Sequence, residues 1–403
     1  MKHLLSKYGK KAFLTLTRVE VGDERMTRRD EKNILQLIQK QIAEADNPLP
    51  PIVNLELMIS QDCNLRCDYC FVQTKRPASM SKETGEKAVE FLVDSSGDKK
   101  DIGFLFFGGE PLLGFKTIVH IVDYAEKRAA EVGKKFIFSI TTNGTLLTEP
   151  VLQFLKEHGV TILLSVDGTP EVHDKHRKTR NGEGSFSLVS RNFDRILEYF
   201  PDIELRVTPH PDTANDLLES IRFLVEVGFT RFIIGAAHGI KWPGDSFDVY
   251  KQQMNEIIKY RQSLLGSGKE FNLSSLDQGP IECSFGCRAG AAYMVVAADG
   301  SLAPCSLFLG TPGIEEAYRF GNVAEGITTE MRRRELLILN AQRDKVCSNC
   351  DIVRECGGGC LVTNFKATGC FVTPSPQQCR DVRAHSEFIQ IISEAKKPSP
   401  GVS

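Results

Sequence analysis

The 403-residue chain lacks an excess of either charge: 50 lysines and arginines stand against 52 aspartates and glutamates, a formal net charge of -2. Phosphate backbones are bound by basic patches, and here the bases are interleaved with acids, so a nucleic-acid substrate is not expected. Long apolar runs are missing too. No stretch approaches the length of a membrane span, and the apolar run near the N-terminus, Ala12 to Leu16, is too short and interrupted for a signal peptide. The expectation is a cytoplasmic protein without a membrane partner. The length allows two or three domains with a sizeable core.

Cysteine is scarce through most of the chain. Only three of the 12 lie in the first 282 residues, and the other nine fall between Cys283 and Cys379. Cytosolic thiols stay reduced, so such a framework points to metal binding or catalysis and not to disulfides. The first three, Cys63, Cys67 and Cys70, lie in the stretch Ser60 to Phe71 with three and then two residues between them. Thiolates so spaced can each reach one iron of a cubane cluster, which leaves the fourth iron open. The alternatives are zinc, which wants four N or S ligands and finds no histidine near, and plain burial of unligated cysteines.

The run Cys63-Asn-Leu-Arg-Cys67-Asp-Tyr-Cys70 resembles the signature of the radical S-adenosylmethionine (radical SAM) enzymes. The resemblance implies a cluster whose open iron is chelated by SAM and whose electron cleaves SAM to a 5'-deoxyadenosyl radical, with Tyr69 near the adenine.

Apolar runs at 53–59, 104–107, 136–140, 162–166, 203–207 and 232–234 read as strands, and segments 82–93, 115–132, 150–158, 187–199 and 214–227 as helices between them. A further amphipathic helix is expected at 28–45. Strands separated by helices imply right-handed crossovers and a parallel sheet. Six units fall short of a full eightfold barrel, and a partial, TIM-like (β/α)6 barrel also fits the resemblance. Chemistry in such barrels sits at the C-terminal ends of the strands, where Cys63 follows the first. The expected organisation is an N-terminal helical segment (1–50), a barrel (51–255), a linker (256–282), a cysteine-rich domain (283–384) and a C-terminal helix and tail (385–403).

Gly108-Gly109-Glu110-Pro111 follows the second strand. Glycines there permit close backbone approach and Glu110 can accept from an amine, although a plain turn uses the same residues. In this order after the triad it resembles the family's amine-binding loop. Thr142 and Asn143 end the third strand and Ser165 the fourth, placed either to bond a ligand or to cap helices. The stretch from His173 to Arg177 resembles the His-Asp-x-x-Arg run of peptide-modifying members, which implies that Arg177 pairs with the SAM carboxylate, a bidentate role suited to guanidinium. Arg206, on the fifth strand, is expected to face inward toward a carboxylate or ligand.

The late cysteines, Cys287, Cys305, Cys347-x2-Cys350-x5-Cys356-x3-Cys360 and Cys379, resemble a SPASM domain with auxiliary four-iron clusters. The resemblance assigns Cys283, Cys287, Cys305 and Cys360 to one auxiliary cluster and Cys347, Cys350, Cys356 and Cys379 to a second. A zinc ribbon over 347–360 is the alternative. Cys370 is left over, as an alternative ligand, a reactive thiol near the substrate or a structural cysteine. In the sulfatase-maturing relatives an aspartate base follows the third cysteine of the auxiliary set, and here that position is Ser306.

The resemblance thus implies an oxidoreductase that modifies a peptide or protein, forming a thioether or carbon-carbon crosslink on a ribosomal peptide. Sulfatase-type oxidation and epimerisation are alternatives within the class, and an iron-sulfur electron-transfer protein is the alternative outside it. A flavodoxin or ferredoxin type donor is implied, and the short N-terminal region suggests a separate leader-peptide-binding protein.

Overall fold

A computed structural model of the protein describes residues 49–395 apart from 73–74, 238, 280–286, 288 and 348, with the backbone alone at 338 and 340–346. The helix expected at 28–45 and Cys283 lie outside these residues. Six strand-helix units follow one another: β1 (Asn54–Ser60), α1 (Lys82–Ser95), β2 (Asp101–Gly108), α2 (Phe115–Val132), β3 (Lys135–Thr142), α3 (Glu149–Glu157), β4 (Thr161–Ser165), α4 (Pro170–His176), α5 (Phe186–Ser190), α6 (Phe193–Tyr199), β5 (Glu204–Val207), α7 (Leu217–Val227) and β6 (Arg231–Ile234). Each of β1 to β6 pairs parallel with the next. All six expected strands are present, within a few residues of the expected bounds.

The two faces of each strand have different duties. Leu55, Leu57 and Ile59 of β1 join the main core beneath the helices, together with the Phe104, Phe106, Phe136 and Phe138 rings of β2 and β3, whose centroids lie 5.2 to 6.5 Å apart. Each such buried side chain contributes about 1.5–3 kcal/mol. The alternate residue Met58 instead packs with Val295 and Ala303 in a separate small cluster, as the two-residue period of a strand requires. Helix ends are set locally: Ser81 Oγ accepts from Thr84 N to start α1, and Gly133, at φ 67°, ends α2 in the left-handed conformation.

Three expectations about elements are corrected. The helix expected at 187–199 is two helices, α5 and α6, because the chain tightens at Asn192, whose N–H bonds Val189 O. The segment expected as a linker holds the second half of α8 (Ser246–Gly266), whose Met254, Ile257, Ile258 and Leu264 are buried, and then β7 (Asn272–Leu273), which pairs with β6. The cysteine-rich region is joined to the same sheet: β8 (Tyr293–Val296) pairs parallel with β1, and β9 (Ser301–Ala303), β10 (Gly321–Asn322) and β11 (Gly326–Ile327) continue it antiparallel. The result is one 11-stranded sheet in the order β11-β10-β9-β8-β1-β2-β3-β4-β5-β6-β7. Beyond it lie α9 (Glu330–Val346), α10 (Leu361–Thr368) and α11 (Pro376–Ala395), so the last helix begins nine residues before the expected 385 and carries Cys379.

Candidate active site

The cysteine loop leaves the C-terminal end of β1 and is held from three sides. Asp62 Oδ1 accepts from Cys63 N at 2.8 Å, and the Arg180 guanidinium bonds both Asp62 Oδ2 and Cys63 O. From β2, Gly109 N reaches Ser60 O and Glu110 N reaches Asp62 O. A Cβ on Gly109 would stand 2.5 Å from the Asp62 carbonyl carbon and 3.1 Å from Cys63 Cβ, so the loop can dock on β2 only where that residue has no side chain. From β3, Asn143 Nδ2 donates to Asn64 Oδ1 and lies 3.8 Å from Cys63 Sγ, while Asn64 donates to Thr145 Oγ1.

Glu110 is 1% exposed and fully engaged within the chain. Its carboxylate accepts from Leu112 N, Thr142 Oγ1 and Asn143 N at 3.1, 2.8 and 2.8 Å, which ties the end of β2 to the end of β3. Burial pushes its pKa up to about 7 against those three donors. Glu110 therefore positions Thr142 and Asn143 around the loop. Gly108, at φ 136°, makes the turn that precedes it.

A second network begins at Asp167, just past β4. Its carboxylate takes Arg177 Nε at 2.7 Å and Nη2 at 3.2 Å, Tyr69 Oη at 2.5 Å and Thr208 N at 2.9 Å. Burial works against the charged form of Asp167, and the Arg177 guanidinium outweighs it, holding the carboxyl below its ordinary range. The same guanidinium lies 5.4 Å over the Tyr69 ring. His173 braces this pair as a neutral imidazole, its pKa pushed down to about 3 chiefly by burial. Nδ1 accepts from Asp167 N and Nε2 donates to Ser185 Oγ, which itself donates to Arg177 O. Ser165 is buried next to Arg206 across the β4–β5 pair. Arg206 Nη2 reaches Gly235 O at 3.4 Å, and burial lowers its pKa while Asp167 opposes.

The thiols gather in three groups. Burial pushes Cys67 up to about 11, with Cys70 and Cys63 adding to the shift and Arg177 opposing it, and burial raises Cys63 likewise. Cys305 is pushed up to about 12 by burial and by its neighbours Cys287 and Cys360. Cys379 is raised by burial and by Cys356 and Cys350, and Cys350 N bonds Cys347 O in a tight turn. Cys360 thus lies near Cys305, 55 residues earlier in the chain. Cys370 is 3% exposed within the main apolar core. Sulfurs clustered this way suit a bound metal, whose charge stabilises thiolates where burial alone, as at Cys63, Cys67, Cys305 and Cys379, disfavours them.

One family model, the radical SAM superfamily, matches residues 57–224, and a second, an iron-sulfur cluster-binding domain (SPASM), matches 287–351. The chain belongs to the radical SAM superfamily. Its SPASM domain places it among the radical SAM maturases. As such it is an enzyme that uses SAM in a redox reaction and binds 4Fe-4S clusters. It is 25% identical over 331 residues to a cysteine-type anaerobic sulfatase-maturating enzyme of Clostridium novyi, covering 75% of this chain and 85% of that one. It is 30% identical over 230 residues to an uncharacterized protein of Methanocaldococcus jannaschii, covering 57% of this chain and 72% of that one. The fold is shared with the structure of native anSMEcpe with bound AdoMet and Cp18Cys peptide, at a TM-score of 0.71 and 22% identity, over 86% of this chain and all of that one. No helix among the described residues is long and apolar enough to cross a membrane.

Sequence reasoning missed Asp167, Asn64, Thr145 and Glu56. Glu56 sits on β1, 4% exposed, and takes the Tyr293 hydroxyl. Its Oε1 is buried with no hydrogen-bond partner among the described residues. Burial raises its pKa, while Tyr293 and Ser306 pull it down. A lone glutamate between apolar residues in a strand pattern was the available signal.

Proposed function

We propose that this maturase oxidises a peptide or protein substrate, forming a thioether or carbon-carbon crosslink in a ribosomally made peptide. The observation that carries the reading is the presence of three thiol groups, one at the barrel mouth and two in the SPASM region. Cys63, Cys67 and Cys70 would hold the SAM-binding cluster. Cys287, Cys305 and Cys360, with Cys283, would hold one auxiliary cluster, and Cys347, Cys350, Cys356 and Cys379 the other. When bound, the clusters supply and accept the single electrons of SAM cleavage and substrate oxidation.

The chain's residues orient and exclude. Tyr69, fixed by Asp167, would form one wall for the adenine, and Gly108 and Gly109, having no side chains, would let the backbone approach the amine. Asn143 and Ser165 would offer polar contacts and Arg206 positive charge to a carboxylate, while Arg177, engaged by Asp167, would act by fixing Tyr69, and Thr142 by holding Glu110. Glu56, whose buried Oε1 has no partner among the described residues, would be the candidate base for the substrate's proton. A peptide or protein substrate is supported by the C. novyi relative, named for maturing a sulfatase, and by the peptide in the anSMEcpe structure. That relative also favours a second reading, sulfatase-type oxidation. Because Ser306 follows Cys305, that reading needs another base, for which Glu56 is the candidate. A flavodoxin or ferredoxin type donor and a leader-binding protein complete the proposal.

Anaerobically reconstituted enzyme given SAM, a low-potential reductant and peptides encoded beside it should form 5'-deoxyadenosine and a peptide lacking two hydrogens. An aldehyde-bearing product would favour the second reading, an inverted stereocentre epimerisation, and no 5'-deoxyadenosine an electron-transfer protein.

A further inference from the structure

Two imidazoles and a carboxylate converge beside the cysteine loop: His176 at the end of α4, and His210 and Asp212 after β5. Their donor atoms lie within 4.8 Å of one another. Asp212 Oδ1 is 2.8 Å from His176 Nε2 and 2.6 Å from His210 Nδ1, and the two rings lie 4.0 Å apart between centroids. The other nitrogen of His176, Nδ1, is 2.9 and 3.0 Å from the carboxylate oxygens of Asp68, between Cys67 and Tyr69.

A neutral imidazole has one N–H and one lone pair. His176 is 6% exposed, yet both of its nitrogens face carboxylate oxygens, an arrangement that needs a positive charge, either a second proton on the ring or a cation between Nε2 and Asp212 Oδ1. We propose that this charge is a divalent transition-metal ion of the zinc type, bound by His176 Nε2, His210 Nδ1 and Asp212 Oδ1. The donor set of two nitrogens and one oxygen is one zinc takes, with a fourth position open to solvent. A metal-binding histidine commonly gives its other N–H to a carboxylate, and Asp68 occupies that place. Lys175 Nζ lies 3.1 Å from Asp212 Oδ2, which leaves Oδ1 for the ion.

Tetrahedral zinc with bonds of about 2.0–2.1 Å sets its ligand atoms roughly 3.3 Å apart. The present 2.6 and 2.8 Å spacings open to that by small rotations of Asp212 and His210, of which Asp212 is 47% exposed. The ion would fasten α4 and the β5 loop to the cysteine loop through Asp68. This holds whatever the substrate, and so goes beyond the proposed function.

The test is metal content. Protein carrying its reconstituted clusters is dialysed against zinc, desalted, and counted for zinc and iron by plasma mass spectrometry, with zinc K-edge absorption to identify the neighbours. The expected result is one zinc per chain with only nitrogen and oxygen neighbours, lost in Asp212→Ala and in His210→Gln while iron per chain is unchanged. Circular dichroism matching wild type shows that the variants fold, and His210→Gln, a surface change of similar size, serves should Asp212→Ala not. Sulfur neighbours, zinc retained in the folded variants, or no zinc in wild type would each overturn the proposal; in the last case the charge is a proton on His176.

Discussion

Arg177 and Asp167 are both buried, and each is charged because the other is there. Removing one partner of such a pair costs about 3–5 kcal/mol. Arg177→Met should therefore destabilise the protein by roughly that amount in denaturant unfolding, and Arg177→Met with Asp167→Asn should recover part of it; a single variant as stable as wild type would contradict this. The neutral His173 adds a pH dependence. Its folded pKa of about 3 lies below the ordinary 6.5, so the unfolded chain binds the extra proton. Its contribution is present above pH 6.5 and is lost as pH falls toward 3, on the order of 5 kcal/mol in all. His173→Gln should flatten that acid limb in thermal unfolding followed across pH. The triad Cys63, Cys67 and Cys70 and the strand-end residues stand out in the sequence because their spacing is local. Asp167 was not singled out, since its partners Tyr69, Arg177 and Thr208 come from three other loops and no period in the sequence links them.

Loops at the ends of β1, β2 and β3 act as one element, joined by Gly109, Glu110 and Asn143. Gly109→Ala would drive a methyl into Asp62 and Cys63, and an overpacked site of this kind typically costs about 1–3 kcal/mol. The expected outcome is weaker SAM binding by at least tenfold in calorimetry with the auxiliary iron retained; unchanged affinity would show that the loop tolerates displacement. The six strands were readable from alternation and from the apolar runs that buried parallel strands demand. No helix is expected from the sequence between 234 and 385, and the barrel is expected to end at 255, though Met254, Ile257, Ile258 and Leu264 keep the helical spacing of α8 to Gly266. The two-residue β7, β10 and β11 carry too few positions for any period, and only pairing with neighbours defines them.

At the scale of the whole molecule, β8 lies against β1, so the SPASM region and the barrel share one sheet and not merely a tether. A boundary near 283 follows from cysteine density, whereas this strand pairing depends on contacts about 240 residues apart and left no mark in either segment. Continuity of the sheet places the thiols of Cys287 and Cys305 near Tyr293 and Glu56, on the strand that delivers Cys63. The central claim is that Cys63, Cys67 and Cys70 hold the cluster at which SAM is cleaved. It is tested most directly by reducing anaerobically reconstituted protein and recording its paramagnetic resonance with and without SAM, beside a variant with all three cysteines changed to alanine. The wild type should change spectrum on adding SAM and release 5'-deoxyadenosine, while the variant keeps about two thirds of its iron and does neither. A fully loaded wild type that ignores SAM, or a triple variant that still cleaves it, would contradict the account.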